Sequence, residues 1–268
     1  MYIKPKKSLG QNFLVDKNIQ RKIIAYYRFC CSPVVLEIGA GKGDLTALLA
    51  NAASKVYAVE IDKALCGVLK ERFKGLPQVK VVNRDILKVD LRDFLPAAKD
   101  KITVIGNIPY YITTPIIEHL FKQKENIGDI YLTVQKEFST RITASAGSKD
   151  YGAFSCFIQY HTCPKELFSI KRTSFFPAPK VASAFLHLAV RQEPAVKVAQ
   201  EKIFFKLIRM AFQQRRKTLR NSLKRIVKRE KLEEFFRQYA LDPNSRPESL
   251  SLEDFASLAD FLKNKKKY

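Results

Sequence analysis

Four residues that follow an apolar run are suited to chemistry on an exocyclic amine. Asn107-Ile108-Pro109-Tyr110 come directly after the β-branched run at 102–105. The lone pair of such an amine is delocalised into the ring, so a catalyst must accept its hydrogen bonds as the nitrogen becomes tetrahedral. Asn107 offers one acceptor, and Pro109 restricts Ile108 to extended conformations that can fix its carbonyl as a second. With Tyr110 left to stack on the base, the tetrapeptide predicts methylation of adenine N6; an ordinary strand end with Tyr110 in the core is the alternative.

A glycine loop and two acids follow three earlier runs of the same kind. The loop at 39–43 comes after the first run, Glu60 ends the second and Asp85 follows the third. Parallel strands present their carboxyl ends at one edge, where ligands bind. Glu60 can hold ribose hydroxyls and Asp85 can accept from an adenine amine, although either could instead be a helix cap or a surface acid. We expect an S-adenosylmethionine site formed by Gly39, Gly41, Glu60, Ile61, Asp85, Ile86 and Asn107.

Other nucleotide loops fit the glycines less well. A dinucleotide fingerprint requires Gly or Ala at the sixth position from Gly39, where this chain has Asp44. No Gly-Lys-Ser/Thr phosphate loop is present either. The loop is therefore informative only together with the acids and Asn107.

These candidates must be positioned by a sheet, and the chain has the required alternation. Runs predicted as strands lie at 34–38, 56–59, 79–82, 102–105, 130–134, 166–170 and 184–190, and helical patterns at 44–53, 63–73, 114–122 and 136–144. Strands alternating with helices indicate a parallel sheet covered by helices. The proline-rich segment 175–179 is expected to be irregular. The fold class predicted is α/β, a Rossmann-like class I methyltransferase sheet with a small all-α C-terminal domain.

After residue 191 the pattern becomes helical only, so we expect a catalytic domain at 1–191 and a helical domain at 192–268. Between Lys206 and Arg229 there are ten Lys or Arg and no Asp or Glu. A bound polyanion relieves the repulsion between these cations, so RNA binding is a better interpretation than a merely solvated helix face. The residues expected to bind RNA are Arg215, Arg216, Lys217, Arg220 and Lys224.

The overall composition agrees with a nucleic-acid partner. The net charge is +22, and a strongly basic surface attracts polyanions. No apolar run approaches the ~20 residues of a membrane span, and the beginning of the chain lacks an apolar signal core, so we expect a cytoplasmic location. The 5 cysteines form no Cys-x-x-Cys pair and the 3 histidines fit no ligand cluster, so reduced thiols and no metal are expected.

Several segments together resemble the bacterial small-subunit ribosomal RNA adenine dimethyltransferases, the KsgA family. They are KSLGQNFL at 7–14, GAGKG at 39–43, NIPY at 107–110, QKE at 135–137, SFFPAPKV at 174–181 and AFQQRRKTLRN at 211–221. The resemblance implies that Asn12 and Leu14 also contact the cofactor. It further implies that Phe175 or Phe176 opposes Tyr110 across the target base, whereas two core phenylalanines beside a rigid turn are the structural alternative.

The same resemblance implies a substrate. In that family it is a pair of adjacent adenosines in the hairpin near the 3′ end of 16S rRNA, dimethylated at N6 within an assembling 30S subunit. We expect a monomer. Three competing functions remain open: a large-subunit rRNA methylase of the macrolide-resistance type, a ribosome-assembly factor without catalysis, and a DNA adenine methylase.

Overall fold

A computed structural model describes residues 4–27, 33–95, 100–214 and 217–264. The strands are β1 (Phe13–Leu14), β2 (Val34–Ile38), β3 (Lys55–Glu60), β4 (Val79–Asn83), β5 (Ile102–Asn107), β6 (Ile127–Gln135), β7 (Thr162–Ile170), β8 (Phe175–Phe176) and β9 (Ser183–Val190). The helices are α1 (Lys17–Tyr27), α2 (Asp44–Ala50), α3 (Lys63–Arg72), α4 (Thr113–Phe121), α5 (Lys136–Thr143), α6 (Ala153–His161), α7 (Glu201–Phe212), α8 (Leu219–Leu223), α9 (Arg229–Gln238) and α10 (Leu252–Asn264). Within these ranges no helix is both long and apolar enough to cross a membrane.

The main sheet has the strand order β4-β3-β2-β5-β6-β9-β7. β2 pairs in parallel with β3 and β5, β3 with β4, and β5 with β6, while β9 runs antiparallel to β6. Val59 lies opposite Ile38, and Glu60 lies opposite Asn83. The register therefore brings the carboxyl ends of β2 to β5, and the residues that follow them, to one edge.

The central strands are largely apolar because helices cover both faces of a parallel sheet. Every residue of β2 is buried, and Val35, Leu36, Val104 and Ile105 are fully shielded from solvent. β-branched side chains suit such strands because they pack well on a pleated surface. The sheet is thus a rigid base for the residues at its edge.

A second, two-stranded sheet corrects the expectation that segment 175–179 is irregular throughout. β1 pairs antiparallel with β8, with Phe13 opposite Phe176 and Leu14 opposite Phe175. Next to this pair, the Val15 N–H donates to the Ser174 carbonyl oxygen (2.9 Å). This ladder joins the N-terminal segment to a loop more than 150 residues further along the chain.

By contacts the chain divides into two compact units, 1–139 with 165–190 and 140–164 with 191–268. The second unit has its own apolar core, in which Cys156 and Tyr160 of α6 pack with Phe204, Leu207 and the other buried residues of the C-terminal helices. The sequence pattern placed 140–164 in the catalytic part, whereas its contacts lie with the C-terminal helices. The functional roles given to the two domains stay predictions.

Candidate active site

A cleft at the carboxyl edge of the sheet collects most of the predicted cofactor residues. It holds about 740 Å³ of empty space, part of it open to solvent. Its walls include Asn12, Gly39, Gly41, Glu60, Ile61, Asp85, Ile86 and Asn107, together with Ile108, Pro109 and Tyr110. Leu14 lies instead on an adjoining cavity that Gly39, Gly41 and Asn107 also line. Residues scattered over about 100 positions of sequence thus share one site.

Glu60 is held firmly at the end of β3. One carboxylate oxygen accepts from the Gly41 N–H and the other from the Asp62 N–H, both at 2.9 Å. Burial raises the pKa of Glu60, and the two backbone hydrogen bonds oppose that rise. The carboxylate is fixed in orientation yet still has lone pairs with which to accept from a ligand hydroxyl.

Both the backbone conformation at position 41 and a neighbouring side chain favour glycine there. Its φ is +58°, and a Cβ at this position would lie 3.1 Å from a ring carbon of Phe13. A side chain here would therefore strain the turn and push against the N-terminal segment. The glycine loop and the residue preceding Leu14 are packed directly together.

Asp85 combines a structural contact with a free oxygen. Its Oδ1 accepts from the Leu87 N–H (3.0 Å), which caps the 3₁₀ turn Ile86–Lys88. Among the described residues its other oxygen accepts no hydrogen bond. The roles of cap and of ligand, given as alternatives from the sequence, are compatible in this geometry.

Asn107 is oriented by the N-terminal segment. Its Nδ2 donates to the backbone carbonyl of Asn12 at 2.7 Å. A carbonyl can only accept, so the amide nitrogen must face Asn12 and the side-chain oxygen must face away from it. That oxygen, like the carbonyl of the buried Ile108, accepts no hydrogen bond within the parts of the chain described.

The tetrapeptide turns away from β5 immediately after these acceptors. Pro109 is extended, with φ −61° and ψ 131°, and Tyr110 begins a 3₁₀ turn. The Tyr110 hydroxyl lies 2.5 Å from the hydroxyl of Ser183 on β9, and burial raises the pKa of Tyr110. The ring is consequently fixed against the cleft wall by its hydroxyl.

The two candidate phenylalanines have different environments. Phe175 is 3% exposed and packs in the core with Leu14 and Phe185, whereas Phe176 is 50% exposed. Only Phe176 presents its ring to solvent. A core role therefore fits Phe175, and contact with a ligand fits Phe176.

The contacts that hold the N-terminal strap, which we define as residues 4–14, were not predicted from the sequence. The Lys6 ammonium donates to Asp62 Oδ1 (2.8 Å) and the Gln11 amide donates to Asp62 Oδ2 (3.2 Å). Asp62 also caps α3 through the Ala64 N–H. Burial opposes ionisation, but the hydrogen bonds from Lys6, Ala64 and Gln11 hold the pKa of Asp62 below its ordinary value. Its position two residues after Glu60 was the only signal in the sequence.

Glu37 is a buried acid beneath the glycine loop. It accepts a hydrogen bond from the Thr46 hydroxyl at 2.5 Å. Burial raises its pKa to about 8, with a smaller contribution from the charge of Glu60. Glu37 therefore holds a proton over much of the neutral range.

The second unit carries the predicted RNA-binding residues. Arg215 and Arg216 lie outside the described residues, and Lys217 and Lys224 are exposed. The guanidinium of Arg220 is paired with Glu233 of α9 (2.7 Å), and this contact is the main cause that lowers the pKa of Glu233. A space of about 530 Å³ opens here, lined by Arg220, Asn221, Lys224, Val227, Arg229 and Leu232. Among the described residues no group of three or more His, Cys, Asp or Glu side chains could hold a metal ion.

The strand order and the edge cleft define a Rossmann-like class I methyltransferase with a helical C-terminal part. Residues 3–264 match the family model for ribosomal RNA adenine dimethylase. The chain belongs to the ribosomal RNA adenine dimethylase family.

Curated relatives span nearly the whole chain. The ribosomal RNA small subunit methyltransferase A of Staphylococcus epidermidis is 41% identical, covering 98% of this chain and 90% of its own length. The protein of the same name from Streptococcus pneumoniae is 44% identical, covering 96% of this chain and 92% of its own length.

Two solved structures share the fold over most of the chain. A dimethyladenosine transferase from Plasmodium falciparum superposes with a TM-score of 0.77 at 26% identity, covering 95% of this chain and 98% of its own. The 23S rRNA methyltransferase ErmE superposes with a TM-score of 0.75 at 27% identity, covering 94% and 100%. The two scores are close, so the fold alone does not separate small-subunit from large-subunit RNA.

Proposed function

We propose that this protein uses S-adenosylmethionine to dimethylate N6 of two adjacent adenosines in the 3′-terminal hairpin of 16S rRNA. The observation that carries the proposal is the orientation of Asn107, whose amide nitrogen is held by the Asn12 carbonyl. This leaves its oxygen as an acceptor at the cleft, as a reacting exocyclic amine requires. The identity of the RNA rests on the 41–44% identical relatives named for the small subunit.

The cleft residues fit S-adenosylmethionine. Ile61 and Ile86 supply apolar surface for an adenine ring, and Asp85 has a carboxylate oxygen for its amine. Glu60 faces the same space with a carboxylate that two backbone N–H groups hold in place. When bound, this cofactor supplies an electrophilic methyl group on its sulfonium.

The chain's own residues act on the target base. Tyr110 and Phe176 supply aromatic faces that hold an extruded adenine, and stacking of this kind offsets the cost of extrusion, a few kcal/mol. Asn107 Oδ1 and the Ile108 carbonyl accept from N6 and align its lone pair. Orientation of this quality can supply up to ~7–11 kcal/mol of the acceleration. No strong base is needed, because the nitrogen loses its proton after its acidity has risen.

RNA binding is assigned to the basic side of α8 and its flanks. Lys217 and Lys224 are exposed there, and Arg215 and Arg216 belong to the same basic segment of sequence. Arg220 contributes less free charge, since Glu233 pairs with it. We further propose that the protein acts as a monomer on the assembling 30S subunit, which places it in the cytoplasm.

The test is methyl transfer from labelled S-adenosylmethionine to unmethylated 30S subunits, 50S subunits, naked rRNA and duplex DNA, followed by mapping of the labelled base. Label as N6,N6-dimethyladenosine in the small-subunit hairpin supports the proposal. Label confined to large-subunit RNA favours the function of ErmE, with which the fold superposes closely. Cofactor binding without transfer to any substrate favours an assembly factor, and label in DNA alone favours a DNA methylase.

Two variants test the assigned residues. Asn107→Ala is expected to reduce transfer by about 100-fold or more, as for loss of a transition-state hydrogen-bonding group, while RNA binding is retained. Asn51→Ala, at an exposed asparagine after α2, is the matched control. Near-normal turnover of Asn107→Ala would remove its catalytic assignment.

Salt dependence tests the RNA surface. Replacing Lys217 and Lys224 with Met is expected to lower the salt slope of RNA binding by about 1 for each phosphate that is no longer neutralised. The control replaces Lys70 and Lys74, which are exposed on the other unit. An unchanged slope for the first pair would assign RNA binding to another surface.

A further inference from the structure

Tyr111 is an aromatic residue that the site as described does not use. Its side chain is 63% exposed, the largest exposed fraction among the large apolar side chains of the described residues. Its hydroxyl makes no hydrogen bond within the described ranges. Most of this side chain is therefore open to contact with a ligand.

Tyr111 lies between residues that line the cleft. The residues on either side of it in the chain, Tyr110 and Ile112, both line the cleft, as does Pro109, but Tyr111 does not. It lies in the same 3₁₀ turn, Tyr110–Ile112. The ring therefore stands at the outer rim, one residue from the ring assigned to the target base.

The strap holds one side of this ring. A Cβ on Gly10 would lie 3.0 Å from Tyr111 Cε1 and 3.2 Å from Cδ1. Gly10 also has φ +60°, a conformation that favours glycine. The absence of a side chain at Gly10 lets the ring settle on the strap backbone, so the ring is supported on one side and open to solvent on the other.

We infer that Tyr111 stacks on the nucleobase next to the target adenosine. This inference rests on the proposed function, since it assumes an RNA strand entering the cleft. When one base leaves its stack, its neighbour loses a stacking surface, and an exposed aromatic ring at the rim replaces that surface. Every base has a π-face, so the contact accepts either neighbour; with two adjacent adenosines as targets, each serves in turn as the flanking base.

The contact is tested with variants that separate ring, volume and strap support. Tyr111→Ala and Tyr111→Leu are expected to lower kcat/KM for unmethylated small subunits by about 5- to 150-fold, the range of base–aromatic stacking. Tyr111→Phe keeps the ring and is expected to restore the rate. Leu76→Ala, at an exposed leucine after α3, controls for removal of any surface apolar group. The affinity for S-adenosylmethionine is measured on the same proteins and is expected to be unchanged.

A direct contact is read by crosslinking. Tyr111→p-benzoylphenylalanine is expected to crosslink to a nucleotide immediately beside a methylated adenosine. The inference would be overturned by crosslinks to nucleotides elsewhere, or by a decrease in cofactor affinity equal to the decrease in rate. It would also be overturned if Tyr111→Leu had the same rate as Tyr111→Phe, or if Tyr111→Ala had the same rate as the unaltered chain. If the unaltered chain transfers no methyl group to small subunits, it is the proposed function that fails; if it transfers normally and the variants do too, only the role of Tyr111 fails.

Discussion

Asp62 joins the N-terminal strap to the end of β3, and its removal has a calculable effect. Lys6 and Gln11 both donate to its carboxylate, at 2.8 and 3.2 Å. The carboxylate is completely shielded, whereas the Lys6 side chain is 50% exposed. Asp62→Ser keeps a side chain that can cap α3 but cannot reach both strap residues. We predict that this variant loosens the strap and leaves the sheet intact.

The magnitude follows from the two interactions that the substitution removes. A half-exposed ion pair contributes about 0.5–1 kcal/mol, because solvent screens the ammonium. A hydrogen bond from a neutral amide to a carboxylate contributes about 1.5 kcal/mol. Together they amount to about 2 kcal/mol, which raises the opening equilibrium of the strap about 30-fold. Asp62→Ala additionally removes the helix cap, which costs about 1 kcal/mol more of overall stability.

Hydrogen exchange tests this opening, because a 3₁₀ turn as short as Lys7–Leu9 is not expected to persist once the strap has lost its contacts. The Leu9 and Gly10 amides donate to the Lys6 and Lys7 carbonyls in the closed strap, at 3.1 and 3.0 Å. In Asp62→Ser their exchange is expected to be about 30-fold faster, with amides of β2 unchanged. Cofactor affinity should fall only as far as the open strap becomes populated.

Two outcomes would contradict this prediction. Unchanged exchange at Leu9 and Gly10 would refute the reasoning, since the strap would then be held without Asp62. Faster exchange throughout the sheet would show a general decrease in stability instead. Lys6→Met provides the partial version, with an expected effect of no more than about fivefold from the ion pair alone.

Three further predictions concern single side chains. Phe176→Ala should slow methyl transfer by about 5- to 150-fold because it removes base stacking, with little change in the unfolding midpoint. Phe175→Ala should instead cost about 3–5 kcal/mol of stability, because Phe175 is buried, and similar unfolding midpoints for the two variants would contradict this assignment. Ser183→Ala and Tyr110→Phe remove the same hydroxyl contact, so their effects on transfer should not add in the double variant, and additive effects would show that the contact is unimportant. Burial raises the pKa of Glu37 from 4.5 to about 8, so the stability that the protonated carboxyl contributes is fully present below the unfolded pKa and is lost as the pH rises towards the folded pKa. Glu37→Gln should reduce this loss of stability, measured by denaturant titrations at about pH 5 and about pH 8, and an equal loss in both proteins would argue against a protonated Glu37.

The edge of the sheet was predictable because it depends on local pattern. The run at 34–38 is predicted as a strand from its composition, and β2 has these bounds. Once parallel pairing is inferred, the residues after successive strands must converge, so the sequence alone brings Glu60, Asp85 and Asn107 together. The motifs named from the sequence indicate the same family as the family model, which matches residues 3–264.

Long-range contacts explain what was missed. No local sequence pattern predicts strands at Phe13–Leu14 and Phe175–Phe176, because strands of two residues form only by pairing with each other. Segment 140–164 was assigned to the catalytic domain because it precedes the change to an all-helical pattern, yet Cys156 and Tyr160 are buried with the C-terminal helices. Sequence spacing showed ten cations without an acid, but folding brings Glu233 to Arg220.

Under the proposed function, the strap orients Asn107 as an acceptor. Its amide could rotate freely in an open cleft, and either its nitrogen or its oxygen could then face the base. The Asn12 carbonyl removes that choice at 2.7 Å, and the segment carrying Asn12 is held on one side by Asp62 and on the other by β8. Since residues of the strap also line the cleft, a cofactor bound there that stabilises the strap would also stabilise this orientation of Asn107. In the proposed reaction, the acceptor is therefore oriented before the base enters, so that its orientation costs no reorganisation during transfer.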